Sequence, residues 1–443
     1  MSAVTLDRYV ETVAESTPIR IHGRVTKVVG LILEGHGPGA TVGEICEIEL
    51  PDGRGTVPAE VVGFREGQIL LMPIGEVRGI GPGCKIVSRR QKPAVGVGPA
   101  FLGRILDAMG QPIDGKGAVR AAAEYPLYAP PVSPLLRNRI AEPLDLGVRV
   151  LNGLFTCARG QRLGIMAGSG VGKSVLMGMI ARYTEADVNV IALIGERGRE
   201  VREFLEKDLR EEGLARSVVI VATSDQSPLL RLRGAYLATT IAEYFRDEGK
   251  KVLLMMDSIT RFAMAQREVG LAVGEPPTTK GYTPSVFALL PKLLERAGMG
   301  SGNGSITGLY TVLVEGDDLA DPVADAVRAT LDGHIVLSRD LANQNHFPAV
   351  DPLASNSRVM IDVVSPEHME LARRTLSVLA THKGAEDLIH IGAYKAGSDP
   401  KVDDAIRRID GIRLYLRQDL TERAPYADSL AGLSDLWREE AAR

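Results

Sequence analysis

The sequence predicts an α/β protein in three parts: a small closed β-barrel, a core built on a parallel sheet, and a C-terminal helical domain. Short β-type runs separated by glycine-containing turns fill residues 19–88. Unbroken Val/Ile/Leu/Met strands alternate with helical segments from Arg162 to about Ser338, and after about Val364 the chain is charged and helix-periodic with no further strand. Length agrees with this division, because 443 residues exceed what one hydrophobic core holds and about 150 residues per domain suggests three. With hydrophobic residues at 45% and charged residues at 24%, global disorder is excluded.

Residues 5–15 (TLDRYVETVAE) place Leu6, Val10 and Val13 at helical spacing, so 1–17 reads as a helical or flexible segment. Over 18–92 the runs IRIHGRVTKVVGLILEG, GEICEIEL, TVPAEVVGF, GQILLMPI and CKIVSR are punctuated by turns such as Gly37-Pro38-Gly39 and Gly81-Pro82-Gly83; strands this short and regular close into a barrel. The next part, 93–360, opens with a stretch to about Arg139 that reads as turn-rich linker. Its strands RLGIMAG, VNVIALIG, SVVIVAT, KVLLMMD, GLYTVLVE and HIVLS are apolar throughout, as strands buried on both faces of a parallel sheet must be. The segments SPEHMELARRTLSVLATHK, DPKVDDAIRRIDGIRLYLRQD and YADSLAGLSDLWREEAAR make 361–443 helical.

Composition narrows the function. Fifty-two basic against 56 acidic residues give a formal charge of −4, without the basic excess of a nucleic-acid binder. Cys46, Cys84 and Cys157 are odd in number, far apart and without CxxC spacing, which fits a reducing cytoplasm. The N-terminus is not a signal peptide, and no stretch nears the ~18 uncharged apolar residues of a membrane span, so any membrane association is expected to be peripheral.

The chemistry is carried by Ala167-Gly168-Ser169-Gly170-Val171-Gly172-Lys173-Ser174, which follows the strand RLGIM and opens the helical segment VLMGMIARY. That is a P-loop in its required context: glycines let backbone N–H groups face a concavity at a helix N-terminus, where phosphate oxygens fit. Lys173 is expected to reach the β/γ-phosphates and Ser174 to bind Mg²⁺, although the pattern's usual first Gly is Ala167. Asp257, ending the buried strand KVLLMMD, is expected to hold Mg²⁺ or its water shell; a strand-terminating Asp that caps the next helix is the plainer alternative. Glu196 follows VNVIALIG at the same sheet edge and is a candidate to polarise the attacking water; a surface pair in the charge-dense segment Glu196-Arg197-Gly198-Arg199-Glu200 is equally compatible with its spacing.

Taken together, AGSGVGKS, IGERGREV, LLMMDSITRFAMAQREVG, GEPPTTKGYTPSVFALLPKLLERAG, YTVLVEGDDLADPVAD, DGHIVLSRDLA and FPAVDPLASNSRVM resemble the flagellum-specific ATPases of the type III export apparatus. Injectisome ATPases are their nearest relatives, and the catalytic β subunit of F-type ATP synthase is a more distant one. The resemblance runs from about Arg24 to Gln418 and implies a RecA-like ATPase core between the barrel and the helical domain, assembled into a ring of six. It implies further that Glu196 is the catalytic glutamate, that Arg197 contacts the γ-phosphate within its own subunit, and that Arg358 is an arginine finger for the neighbouring one. By the same resemblance Phe347 stacks on adenine, with plain core packing as its alternative, and Tyr394 in IGAYKAG approaches that pocket. ATP and Mg²⁺ are the implied substrate and cofactor.

The resemblance also implies partners: a regulatory stator-like protein on residues 1–17, a coiled-coil central stalk protein in the pore, membrane proteins of the export gate, and chaperone–substrate complexes, with no nucleic acid. The implied location is cytoplasmic, peripherally associated with the inner membrane at the export apparatus. Gly316-Asp317-Asp318-Leu319-Ala320-Asp321 matches the loop that faces the stalk in rotary relatives, so six copies would line a pore with carboxylates; a solvated turn is the alternative. The acidic lever motif of the synthase β subunit is absent, so a synthase-type rotary mechanism does not carry over. An injectisome ATPase is the alternative reading. A non-catalytic ring subunit would have Gln at Glu196, and an RNA-translocating hexamer would need barrel aromatics beyond Phe64.

Overall fold

The computed structural model describes residues 22–438 apart from 54, 76, 89–92 and 315–319, so the segment 1–17 lies outside the described residues. Contacts divide the chain into two compact units, one of the residues up to Ala94 with Val269–Glu275, the other of Val95–Glu268 and Pro276 onward. In the first, β1 (His22–Val29), β2 (Ile32–His36), β3 (Ile45–Glu49), β4 (Thr56–Arg65), β5 (Gln68–Pro73) and β6 (Lys85–Ser88) close antiparallel in the order β1-β2-β5-β4-β3-β6. Alternation turns Leu33, Cys46, Ile48, Val61, Ile69, Leu71 and Ile86 inward. Register shifts at Val25/Lys27 and Val61/Gly63 are the bulges that bend β1 and β4 enough for six strands to close. Burial, with Glu44 beside it, pushes the Cys46 thiol up to about 12, and all three cysteines are free and buried, as structural rather than reactive thiols are.

Three short strands follow, β7 (Ala94–Val97), β8 (Arg104–Asp107) and β9 (Ala123–Pro126), of which β7 and β9 form a two-stranded ribbon. The main sheet adds β10 (Arg162–Ala167), β11 (Val188–Ile194), β12 (Ser217–Ala222), β13 (Lys251–Asp257), β14 (Gly298–Met299), β15 (Ser305–Leu313), β16 (Gly333–Leu337) and β17 (Asn356–Ser357). Its order is β17-β16-β10-β15-β13-β11-β12-β8, with β14 beside β15, and only β14 and β17 are antiparallel to their neighbours. Every residue of β11 and β12 is buried, which is why their sequences show no alternation. The linker reading of 92–139 needs correcting, because residues 104–107 supply the far edge strand. Four residues between Gly103 and a turn are too few to register as a strand in the sequence. In the fold a two-bond Arg104–Asp114 pair (2.7 and 2.8 Å) ties the following loop back to them.

The helices of this unit are α1 (Arg149–Leu154), α2 (Lys173–Tyr183), α3 (Gly198–Glu203), α4 (Arg210–Ala215), α5 (Pro228–Asp247), α6 (Ile259–Val273), α7 (Pro284–Leu294), α8 (Pro322–Thr330) and α9 (Arg339–Asn343). Then α10 (Met360–Val363), α11 (Pro366–His390), α12 (Pro400–Leu416) and α13 (Tyr426–Asp435) make the C-terminal helical domain. Ser365 and Asp399 cap α11 and α12, each with proline at the first helical position where a missing N–H does no harm. Trp437 lies between the guanidinium groups of Arg374 and Arg408, 4.0 and 4.5 Å from its ring, and its indole N–H donates to Thr375 Oγ1 at 3.3 Å. Leu151 and Leu154 of α1 share one apolar cluster with Ala372, Ile412, Leu433 and Trp437, which fastens these helices to the sheet domain. Among the described residues no helix is long and apolar enough to cross a membrane.

Candidate functional site

The parallel strands deliver their functional residues to one edge. At the end of β10 the chain passes through Gly168, Ser169, Gly170, Val171 and Gly172 into α2, whose first residues are Lys173 and Ser174. Gly170 and Gly172 have φ of +78° and +90°, backbone that residues with a Cβ rarely adopt, and these turns form the concavity. Lys173 reaches across β15 to the end of β13, where its Nζ pairs with Asp257 Oδ1, and lies 3.5 Å from Glu196 Oε1 at the end of β11. Burial works against the Lys173 charge, but Asp257 and Glu196 outweigh it and hold the ammonium above its ordinary range. Asp257 is only 4% exposed and its Oδ1 also accepts from Thr311 Oγ1 at 2.6 Å.

Glu196 follows Gly195, whose φ is +72° and where a Cβ would stand 2.7 Å from Arg261 Cβ, so only glycine fits that bend. Burial first, then the Asp257 charge, raises the Glu196 carboxyl to about 7 against the opposing pull of Lys173. It also shares a hydrogen bond with Glu200, one turn along. Glu200 in turn accepts from the Arg197 backbone N–H at 3.3 Å and lies 3.5 Å from its guanidinium, which is 76% exposed and reaches into the open.

Phe347 is brought to the same place. A Cβ on Gly172 would lie 3.5 Å from Phe347 Cε1, so the ring stands against the P-loop, and its 41% exposure leaves a face open. Its carbonyl accepts from Gln418 N–H at 3.0 Å, just beyond α12. Tyr394, expected in that pocket, is not there: it precedes α12, where its hydroxyl donates to Asp403 Oδ1 at 2.9 Å. The 17 residues of α12 put about 25 Å between its two ends, so a tyrosine at the first cannot serve a base at the second. Gly316 to Leu319 of the acidic segment lie outside the described residues. Asp321 is a helix cap rather than a solvated carboxylate, accepting from Val323 N–H at 2.9 Å and pairing with Lys280 at 3.3 Å.

Arg358 stands apart from this edge. Its N–H donates to the Asp332 carbonyl at 3.0 Å, and Asp332 is level with Arg162 because His334 registers with Gly164. Arg162 is five residues before Ala167, so Arg358 sits about 16 Å back along the strands from the P-loop edge, further than an arginine side chain extends. Sequence reasoning also missed Thr311, Arg261 and Glu200. Thr311 was readable as the one polar residue in the buried run LYTVLV and Glu200 as the residue three after Arg197 at a helix start, whereas nothing in the sequence marked Arg261.

A P-loop, an acid ending the strand two places away and a second acid on the next, all on a RecA-like parallel sheet that follows a β-barrel in the chain, define a nucleotide-hydrolysing ATPase core. The nucleotide-binding-domain model of the ATP synthase alpha/beta family matches residues 147–357, the β-barrel model of that family matches 25–89, and the EscN ATPase C-terminal-domain model of type III secretion matches 364–435. The chain is 52% identical to the flagellum-specific ATP synthase of Pseudomonas aeruginosa, over 97% of this chain and 96% of that one. It is 51% identical to the type 3 secretion system ATPase of Xanthomonas euvesicatoria, over 98% and 97%. The solved structure of the assembled ATPase EscN in complex with its central stalk EscO, from enteropathogenic E. coli, superposes with a TM-score of 0.86 at 46% identity, covering 94% of this chain and 99% of that chain. The chain therefore belongs to the flagellum-specific and type III secretion ATPases of the ATP synthase alpha/beta family.

Proposed function

We propose that this ATPase works as a ring of six that hydrolyses ATP to drive protein export through the flagellar type III apparatus. The observation that carries the catalytic part is the convergence of Lys173, Glu196 and Asp257 in a partly closed site at the end of three strands. In this reading Lys173 leaves its carboxylates to bind the β/γ-phosphates, and the P-loop N–H groups of residues 168–172 hold the rest of the chain of phosphates. Ser174 and Asp257 are hard oxygen donors, and Asp257 is a buried carboxylate paired, among the described residues, with Lys173 alone, so the pair suits Mg²⁺. When bound, the ion would neutralise charge on the β/γ-phosphates. Glu196 accepts a hydrogen bond from the attacking water and orients it, Arg197 contacts the γ-phosphate, and Phe347 stacks on adenine.

Arg358 completes the site of the adjacent subunit. The interval of about 16 Å that keeps it from its own P-loop supports action in trans, as does the assembled state of EscN. The central stalk of EscN supports a corresponding coiled-coil partner here, and the regulatory partner on residues 1–17, the export gate and chaperone–substrate complexes follow from the family. No nucleic-acid partner is implied. A cytoplasmic place beside the membrane-borne apparatus follows from the same reading. Turnover of ATP by the purified chain and by Glu196→Gln tests catalysis: equal, negligible rates would leave a nucleotide-binding ring subunit. Capture of flagellar, rather than injectisome, chaperones tests the system, and capture of injectisome chaperones alone would reverse it.

A further inference from the structure

The face that carries Arg358 carries a second cation. Strand β17 pairs with β16 so that His334 lies opposite Asn356 and Gly333 opposite Ser357, and the bond from Arg358 N–H to Asp332 holds the arginine beside the start of β16. Helix α8 runs into that same point: Arg328 is in its last turn, and Leu331 N–H closes on the Val327 carbonyl before the chain enters Asp332. Both guanidinium charges are felt at His334, where, after burial, they hold the imidazole below its ordinary value.

These cations are not balanced locally. Among the described residues neither Arg328 nor Arg358 has an ion-pair partner, and Arg328 Nε is buried without a hydrogen bond. Asp332, four residues after Arg328, is committed to Arg162 through two bonds of 3.1 and 3.2 Å, and Asp325, three residues before Arg328, is exposed. Gathering unpaired positive charge at a partly desolvated edge is unfavourable unless an anion joins it. Arg328, in the last turn of α8 just before Asp332, lies toward the same end of the strands as Arg358, away from the P-loop.

We propose that Arg328 is a second cation acting in trans, reaching beside Arg358 to the nucleotide phosphates held by the adjacent copy of this chain. The inference rests on the reading of Arg358 as a finger and extends it: two guanidinium groups, on α8 and after β17, present one fork to the transferring phosphoryl. Charge placed there is realised most fully as negative charge spreads over the equatorial oxygens.

The test uses full-length rings of Arg328→Ala, Arg328→Lys and Arg358→Ala, each alone and each mixed in equal amounts with Glu196→Gln. A Glu196→Gln subunit has an inert site but intact cations, whereas an arginine variant has an intact site and lacks one cation. Where the two meet in one ring in the right order, a complete site forms. Arg328→Ala is expected to lower kcat about ten-fold or more with the KM for ATP changed by less than about two-fold, and Arg328→Lys to recover part of the loss. Mixing Arg328→Ala with Glu196→Gln should raise turnover well above the mean of the two alone. Should mixing restore Arg358→Ala but not Arg328→Ala, or should Arg328→Ala turn over at the native rate, the second cation is refuted and the finger stands. If neither mixture gains activity, the trans reading of Arg358 fails and this inference with it. Arg328→Lys keeps the test decisive if the alanine variant does not assemble, because a lysine confined to packing within its own subunit gains nothing from mixing.

Discussion

Replacing Thr311 by valine removes one hydroxyl from behind the site and leaves shape nearly unchanged. Thr311 is completely buried, with its Oγ1 2.6 Å from Asp257 Oδ1 and 3.3 Å from the Met256 carbonyl. The carboxylate it serves is too buried to turn to water instead. A hydrogen bond to a charged group contributes about 1.5–3 kcal/mol, and Lys173 remains on the same oxygen to limit the loss, so about 2 kcal/mol is expected. That is about a thirty-fold change in the folding equilibrium. The chain's single tryptophan, Trp437, lies in the apolar cluster that spans sheet domain and C-terminal helices, so its fluorescence in a urea titration reports the unfolding of this unit. Thr311→Ser keeps the hydroxyl and loses a methyl group, a change of about 1 kcal/mol. Valine should therefore be the more harmful of the two. If Thr311→Val is as stable as the native chain while Thr311→Ser is weaker, the hydroxyl contributes nothing and Asp257 is held by Lys173 alone.

Gly195→Ala should strain both the backbone and the contact with Arg261, at about 2–4 kcal/mol together, and displace Glu196; ATP turnover is expected to fall with nucleotide binding retained, and unaltered kcat would refute the account of that bend. Phe347→Ala should raise the KM for ATP about ten-fold, as loss of one base–aromatic stack does, whereas Tyr394→Phe should leave KM unchanged; the reverse result in steady-state kinetics would restore Tyr394 to the pocket. His346 is held down to about 4 by burial and then by Arg417 and Arg413, so between about pH 6.5 and 4 the unfolded chain binds a proton that the folded chain refuses. Native stability should therefore fall as pH drops through that window, and His346→Asn should flatten the fall; identical pH profiles of the urea midpoint would contradict it.

Where long stretches share one physical demand, the sequence is plain. Six of the apolar runs it offers become β10, β11, β12, β13, β15 and β16, because a strand buried on both faces admits little else, and the P-loop is legible because glycine is needed at Gly170 and Gly172. Short elements are not legible: β8 has four residues and gains its identity only from β12 beside it. Contacts between distant segments are hidden for the same reason. Thr311 meets Asp257 through strand register, Arg261 meets Gly195 through the start of α6, and Tyr394 is carried away from Phe347 by the length of a helix that its motif does not reveal.

Since the phosphate loop lies at one end of the β10–β16 pair and Arg358 some 16 Å toward the other, copies that complete one another must meet through unlike patches. Such contacts have a sense of direction; they cannot end in a two-fold pair, and must either close in a circle or keep growing. Each copy then owns one site and finishes another. A lesson for genetics follows from the proposed trans role of Arg358: damage there would silence the neighbour and spare the bearer's own pocket, so in a mixed population its effect would pass round the circle in one rotational sense only.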